Sequence, residues 1–297
     1  MADTPAHPLL ESDLRTTRFH SAGFEPLELL SRDSLFELWR VRATGTGQLS
    51  LWKQPVPHGP PSHTLRQLLA HEERISLQLD SPQVLKILSS SDSSLPSELL
   101  FEDFDAASLH SFLLRRGRCS VESTLWIARQ IAESLHALER AGFIHASLNP
   151  HSLLVHRSGQ IKLTNLILAQ RLGRSCSIDL STEWRSDPEI QSYRSPERTR
   201  SSYSARIAWD LYALGVLMYR LLTGKLPWIG STPEETDRLQ RTTNPVPIRQ
   251  LAPHVPRDVA EFVAPLLSRQ PIYRPDSWQQ VIDRLVALEI QSLPATG

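Results

Sequence analysis

The chain has 297 residues and equal numbers of basic and acidic side chains, 32 Lys and Arg against 32 Asp and Glu, so its formal net charge is zero. With 40% hydrophobic and 22% charged residues it has the balance of a globular protein, which excludes a disordered or fibrous chain. A near-zero net field also excludes capture of nucleic acid or an anionic membrane by the surface as a whole, and the length suffices for two modest lobes that need no staples. Cys119 and Cys176 are the only cysteines, and neither sits in a CxxC pair or beside histidines at zinc spacing, so neither a disulfide framework nor a structural metal is expected. The most apolar run, Leu211 to Leu222, is too short to span a bilayer and contains Arg220. With no apolar signal region near the N-terminus, a cytoplasmic location without membrane association is expected.

Residues 1–22 read as a loose polar tail. Strands are expected at Leu27–Leu30, Phe36–Arg42 and Gln48–Lys53, the last two joined through the turn Thr44-Gly-Thr-Gly47. The proline-rich run Gln54–Ser62 is a loop, followed by a helix over Thr64–Leu79 with Leu68, Leu69, Ile75 and Leu79 on one side. Val84–Leu88 and Glu98–Glu102 are further strands across the serine turn Ser89–Ser94. After Phe104 the period changes. Ala128, Ile131, Ala132, Leu135 and Leu138 recur at helical steps, and Gly142 stands where a C-terminal glycine would end the helix. Leu153–Val155 and Ile161–Leu163 form a tight hairpin. Helices follow at Asp210–Leu222, at Val259–Leu267 and around Trp278, Val281, Ile282 and Leu285, the last with Asp276 and Gln279 as a capping box. The tryptophans fall mostly at core positions, and Trp184 is the exception.

Two segments give this order a meaning. Gly142-Phe-Ile-His-Ala-Ser-Leu-Asn-Pro150, continuing through Ser152 to Ile161-Lys-Leu-Thr-Asn-Leu-Ile-Leu-Ala169, resembles the catalytic loop and metal-binding motif of eukaryotic-type Ser/Thr protein kinases. Tyr193-Arg-Ser-Pro-Glu197 with Trp209-Asp210 and Leu222-Thr-Gly-Lys-Leu-Pro-Trp228 is similar to that family's APE motif and the buried helix after it. Arg274-Pro275 is similar to its late Arg-Pro element. The resemblance runs from about Phe24 to Leu288 and is bacterial in style, close to the kinase-like modules of multidomain signalling proteins. It implies an α+β, two-lobed fold: a tail over 1–22, a kinase-like domain over 23–290 and a tail over 291–297. The β-rich lobe with one main helix would occupy about 23–104, the mainly helical lobe about 105–290, and an ATP cleft would lie between them.

The chemistry of that family needs an aspartate to orient the substrate hydroxyl and an Asp and an Asn to hold magnesium. Mapped onto this chain by the resemblance, the aspartate is Ser147, the lysine two residues on is Asn149, the metal-binding asparagine is Ser152, and the metal-binding aspartate is Asn165. No Asp or Glu occurs between Arg140 and Ile178, so a small shift in alignment restores no carboxylate, and magnesium prefers anionic oxygen ligands. The phosphate-loop glycines fall near Ser31, Asp33 and Phe36, where side chains hold phosphates away. A degenerate nucleotide pocket would be formed by Lys53, its helix partner Glu72, Phe101 at the back, and Glu102 and Phe104 at the hinge.

The scaffold residues are present. His145 reads as a structural core residue, Asp210 as an acceptor for the catalytic-loop backbone, and Glu197 with Arg274 as a buried ion pair. The expectation is a catalytically impaired kinase-like domain, a pseudokinase, that binds protein partners and takes no metal. ATP, if it binds, would do so without magnesium. The alternatives are an atypical active Ser/Thr kinase using Lys53 and a carboxylate from elsewhere, or an ATP sensor that binds without magnesium through Lys53 and the hinge Glu102–Phe104. The basic residues Arg140, Arg157, Lys162, Arg171 and Arg174, with His151 and His156, are candidates to line the cleft for an acidic or phosphorylated partner. The Ser/Arg-rich run from Arg171 to Ser204 is a candidate for phosphorylation.

Overall fold

Strand β1 (Phe24–Arg32), β2 (Phe36–Ala43) and β3 (Leu49–Pro55) follow the alternation of apolar and polar residues and form an antiparallel meander. With β4 (Ile87–Ser90) and β5 (Leu99–Glu102) they make a five-stranded sheet in the order β1-β2-β3-β5-β4. Because β3 has a neighbour on each edge, five of its seven residues are buried, including the polar Ser50, Lys53 and Gln54. Helix α1 (Ser62–Ser76) buries Leu65, Leu68, Leu69 and Ile75 and runs beside β4. The computed structural model describes residues 19, 22–56, 62–90, 95–174, 187–199 and 206–292.

The second half opens with β6 (Ala106–Ser108) and the short helix α2 (Leu109–Arg116). Ser108 caps α2 by accepting the Ser111 N–H. Helix α3 (Val121–Arg140) is capped in the same way by Ser120 and ends before Gly142, whose φ of 84° only glycine adopts without strain. Next come β7 (Phe143–Ile144), β8 (Leu153–His156), β9 (Ile161–Leu163) and β10 (Gln170–Arg171). These pair as β6-β8-β9 and β10-β7. Helix α4 (Pro188–Ser192) precedes α5 (Ala208–Thr223), which is apolar on every side and accordingly buried along its length. Helices α6 (Pro233–Thr242), α7 (Ile248–Leu251), α8 (Arg257–Leu266) and α9 (Trp278–Ser292) follow; α3, α7 and α8 pack against α5, and α9 packs against α3. Gly215 lets α5 approach α8 closely: a Cβ there would lie 2.7 Å from the Leu266 Cβ. The larger core belongs to this half. A smaller one joins the sheet and α1 to Leu154, Ile167 and Ile190 of the helical half.

Several expectations change. Phe19 lies inside the stretch expected to be a loose tail, yet it is 1% exposed and packs edge-on against Trp39 and Trp52. Helix α1 stops at Ser76, where the chain turns and leaves Leu77 exposed. Val84 belongs to an isolated bridge with Leu163 rather than to β4. The last helix continues to Ser292, past the boundary expected at 290. In place of the capping box expected at Asp276 and Gln279, Ser277 accepts the Gln280 N–H, and the Gln280 side chain accepts the Asp276 N–H. Trp126 is 45% exposed rather than core, because it leans on the β8–β9 hairpin and donates to the Gly159 carbonyl. Trp184, Cys176, most of Ser89–Ser94, residues 293–297 of the expected C-terminal tail and much of the Ser/Arg-rich run lie outside the described residues.

Candidate functional site

The cleft between the halves is organised around Lys53. Strand β3 aims its ammonium away from solvent, where a charge must find partners. Lys53 Nζ lies 2.5 Å from Glu72 Oε2 of α1 and 2.8 Å from Asn165 Oδ1. The second Glu72 oxygen accepts the Leu166 N–H at 3.0 Å. One lysine and one glutamate thus tie β3, α1 and the turn Leu166–Leu168 together. Asn165 adopts the left-handed conformation, φ 65° and ψ 52°, which asparagine tolerates better than most residues.

Asp33 completes the group. Its Oδ1 accepts the N–H groups of Leu35 and Phe36 at 2.8 and 2.7 Å, folding the β1–β2 turn inward. Its Oδ2 lies 3.5 Å from the Asn165 amide nitrogen. Burial pushes the Asp33 carboxyl above its ordinary pKa, while the two N–H groups and the nearby Lys53 hold it down. A carboxylate from the chain itself therefore stands in the field of Lys53, where the resemblance would put nucleotide phosphates.

The remaining walls are apolar and meet one another. Leu30, Leu35, Leu38 and Leu51 from the sheet, with Phe101 and Phe104, form one core with Leu154 and Ile167 from the helical half. Leu35, at the tip of the turn, is 2% exposed, and Leu154 is fully buried. At the hinge, Glu102 pairs with Lys162 and accepts the Lys86 N–H, and the Lys162 ammonium lies 5.3 Å from the centre of the Phe104 ring.

The loop from His145 to Ser152 is held by a set of hydrogen bonds. Asp210, near the start of α5, accepts the backbone N–H groups of His145 and Ala146 at 2.7 and 2.8 Å. This holds Ala146 in a left-handed conformation. Burial raises the Asp210 pKa to about 6 against those two donors. His145 donates from Nε2 to the Thr164 carbonyl at 3.0 Å, and burial lowers its pKa to about 4. Ser147 reaches only the His145 Nδ1, at 3.4 Å. Asn149 and Ser152 cap one 3-10 turn: Asn149 Oδ1 accepts the His151 N–H, and the Ser152 hydroxyl donates to the Asn149 carbonyl. Neither side chain points a free ligand at the cleft.

Glu197 and Arg274 form a two-pronged ion pair at 2.6 and 2.9 Å, and Arg274 also donates to the Ser268 and Ala208 carbonyls. The basic residues between Arg140 and Arg174 do not gather in the cleft. Lys162 is buried against Glu102, and Arg140, Arg157, Arg171 and Arg174 are exposed. His151 instead stacks on His110 at 4.0 Å, beside Glu189, which pairs with Arg220. His110 and Glu189, on α2 and α4, were not singled out by sequence, since neither is itself a residue of the recognised motifs. Asp33 was legible only as a misfit in a phosphate loop. An aspartate followed at two and three residues by N–H groups it can accept from is, however, a turn signal in its own right.

No cluster of three or more His, Cys, Asp or Glu suited to a metal occurs among the described residues.

Comparison with known proteins agrees with the scaffold. The protein kinase domain family matches residues 52–285. The chain is 26% identical over 230 residues to the serine/threonine-protein kinase PknA of Mycobacterium tuberculosis, covering 75% of this chain and 51% of that protein. It is 23% identical over 203 residues to the serine/threonine-protein kinase PrkC of Bacillus subtilis, covering 68% and 31%. It is 28% identical over 223 residues to a serine/threonine-protein kinase of Myxococcus xanthus, covering 73% and 26%. The matched region is thus only part of each relative's length. With a β-rich half holding the Lys53–Glu72 pair and a helical half holding the Glu197–Arg274 pair, the chain belongs to the protein kinase domain family.

Proposed function

We propose that this kinase-fold domain is a non-catalytic binding and signalling module, a pseudokinase, whose cleft is filled by its own side chains. The observation that carries the reading is the placing of Asp33 beside Asn165 and in the field of Lys53, next to a core that includes both Leu35 and Leu154. Loss of chemistry supports it. A serine hydroxyl replaces the base, commonly a loss of about 10²–10⁴-fold, and neutral side chains replace both metal ligands. On this reading the domain takes protein partners rather than nucleic acid or membrane, and works in the cytoplasm. No helix among the described residues is long and apolar enough to cross a membrane.

The test is thermal unfolding with ATP, ADP or buffer alone, each with and without magnesium. A bound nucleotide at 100 times its Kd stabilises by about 2.7 kcal/mol, a shift of several degrees for a domain of this size. The expected shift is none. A magnesium-dependent shift accompanied by ATP turnover would sink the proposal. One observation favours a second reading, an atypical kinase or ATP sensor: a carboxylate from outside the usual motifs, Asp33, does reach Asn165. That reading requires magnesium-dependent autophosphorylation abolished by Asp33→Ala and Lys53→Ala, or, for a sensor, metal-independent stabilisation by ATP.

A further inference from the structure

In the helical half, α5, α7 and α8 enclose a groove of about 720 Å³. Its floor is apolar and includes Tyr219, Trp228, Val246, Ala260, Ala264 and Leu267. The polar ends of the two aromatic side chains are already used. Tyr219 donates to the Val246 carbonyl at 2.8 Å and Trp228 to the Thr243 carbonyl at 3.1 Å, so the floor offers ring faces rather than spare donors. At the mouth stand Tyr273 and, next to it, Ile272, which are 66% and 81% exposed. Contiguous apolar surface of this kind marks a place where something binds.

The rim is cationic. Arg249 on α7, Arg257 on α8 and Arg269 in the following loop line the groove against a single carboxylate, Glu261. Glu261 is paired with Arg257 at 2.6 Å, and Arg269 donates to the Asn244 amide oxygen at 2.7 Å. Arg249 makes no hydrogen bond or ion pair among the described residues. The lining holds arginine, tryptophan and tyrosine and no lysine, the composition of an interface centre. Guanidinium groups meet carboxylates in two-pronged bonds, so a rim with excess arginine on a chain of zero net charge selects for acid.

We propose that this groove docks a segment of a partner protein that presents a large apolar or aromatic side chain beside aspartate or glutamate. The volume accommodates one or two such side chains and lies within the range of ligand pockets. The proposal goes beyond the functional reading above. The groove shares no residue with the cleft, so a result on nucleotide leaves it standing.

The test is selection of short random peptides displayed on phage against the whole 297-residue chain, followed by fluorescence anisotropy with the enriched peptides made synthetically. The expected peptides carry Trp, Phe or Leu next to Asp or Glu, and their binding weakens with salt. Arg249→Glu, which reverses the free rim charge, and Ala264→Trp, which fills the floor, should each weaken them about tenfold or more. Both positions are exposed, so unfolding temperatures near that of the unaltered chain will show that the variants are folded. No enrichment, enrichment of basic or neutral peptides, or binding indifferent to both substitutions would overturn the proposal. So would a dimer of the unaltered chain that Ala264→Trp converts to monomer, which would assign the groove to a second copy.

Discussion

Lys53 sits in a strand with neighbours on both edges, so its charge has to be met inside the protein. Glu72 and Asn165 meet it, and the pair fixes α1 against the sheet whether or not a nucleotide is ever bound. A structural role has a distinct signature. Lys53→Met or Glu72→Met alone strands one buried charge and should cost about 3–5 kcal/mol, whereas the double change leaves none and should cost less than either single one. Chemical denaturation of the four proteins checks this. Losses that simply add would mean that the two side chains act independently. The catalytic-loop residues follow the same logic. Asn149 and Ser152 satisfy each other's backbone, so substitutions there are expected to affect folding of the turn before any chemistry.

Between elements, the closest contacts are the most exacting. Glu197 in the turn Pro196–Thr199 and Arg274 in the chain before α9 join segments far apart in sequence. Glu197→Ala leaves a guanidinium buried with only carbonyl partners and should destabilise by about 3–5 kcal/mol, read as a lower denaturation midpoint. Gly215→Ala places a methyl group 2.7 Å from the Leu266 Cβ and should cost about 1–3 kcal/mol through overpacking of α5 on α8. An unchanged midpoint in that variant would mean that the two helices can separate without penalty. Most strands and the long helices could be read from sequence because their apolar periods are regular. Helix α6 could not, since Leu239 is almost its only apolar residue. Its signal was the cap instead: Thr232 accepts the Glu235 N–H, with Pro233 at the first helical position. The degenerate catalytic positions were legible because they are contiguous in the chain. The meeting of Asp33, Lys53, Glu72 and Asn165 was only half legible. The Lys53–Glu72 pairing could be expected, but the inward fold of Asp33 depends on packing of a turn against residues more than a hundred positions away.

At the scale of the whole molecule, stability should depend on pH through groups that burial holds away from their ordinary ionisation. His145 and His151 are each lowered from 6.5 to about 4 by burial, His151 also by the neighbouring His110. The unfolded chain takes up these protons first, so the stability they contribute is complete above pH 6.5 and is lost as pH falls toward 4. Asp210, raised from 3.8 to about 6, works in the opposite sense: its contribution is greatest in acid and is lost as pH rises through that interval. A fully buried histidine displaced this far accounts for about 3 kcal/mol. His145, His151 and His71 act against Asp210 and Asp33, and the larger share of the histidines predicts a net loss of stability between pH 7 and pH 4. Denaturation midpoints across that range test it, and His145→Gln should flatten the slope. A profile flat from pH 7 to 4 would contradict the burial of these groups.

The inward turn at Asp33 and Leu35 has a consequence for how such a domain persists. Where a small molecule bridges two halves, the closed form follows the concentration of that molecule by mass action. Here the bridging atoms are carried on the same chain, at an effective concentration that no metabolite pool alters. On the proposed reading, the shape presented to partners is the same in starved and in well-fed conditions, and the amount of signal is set by how much of the protein is made.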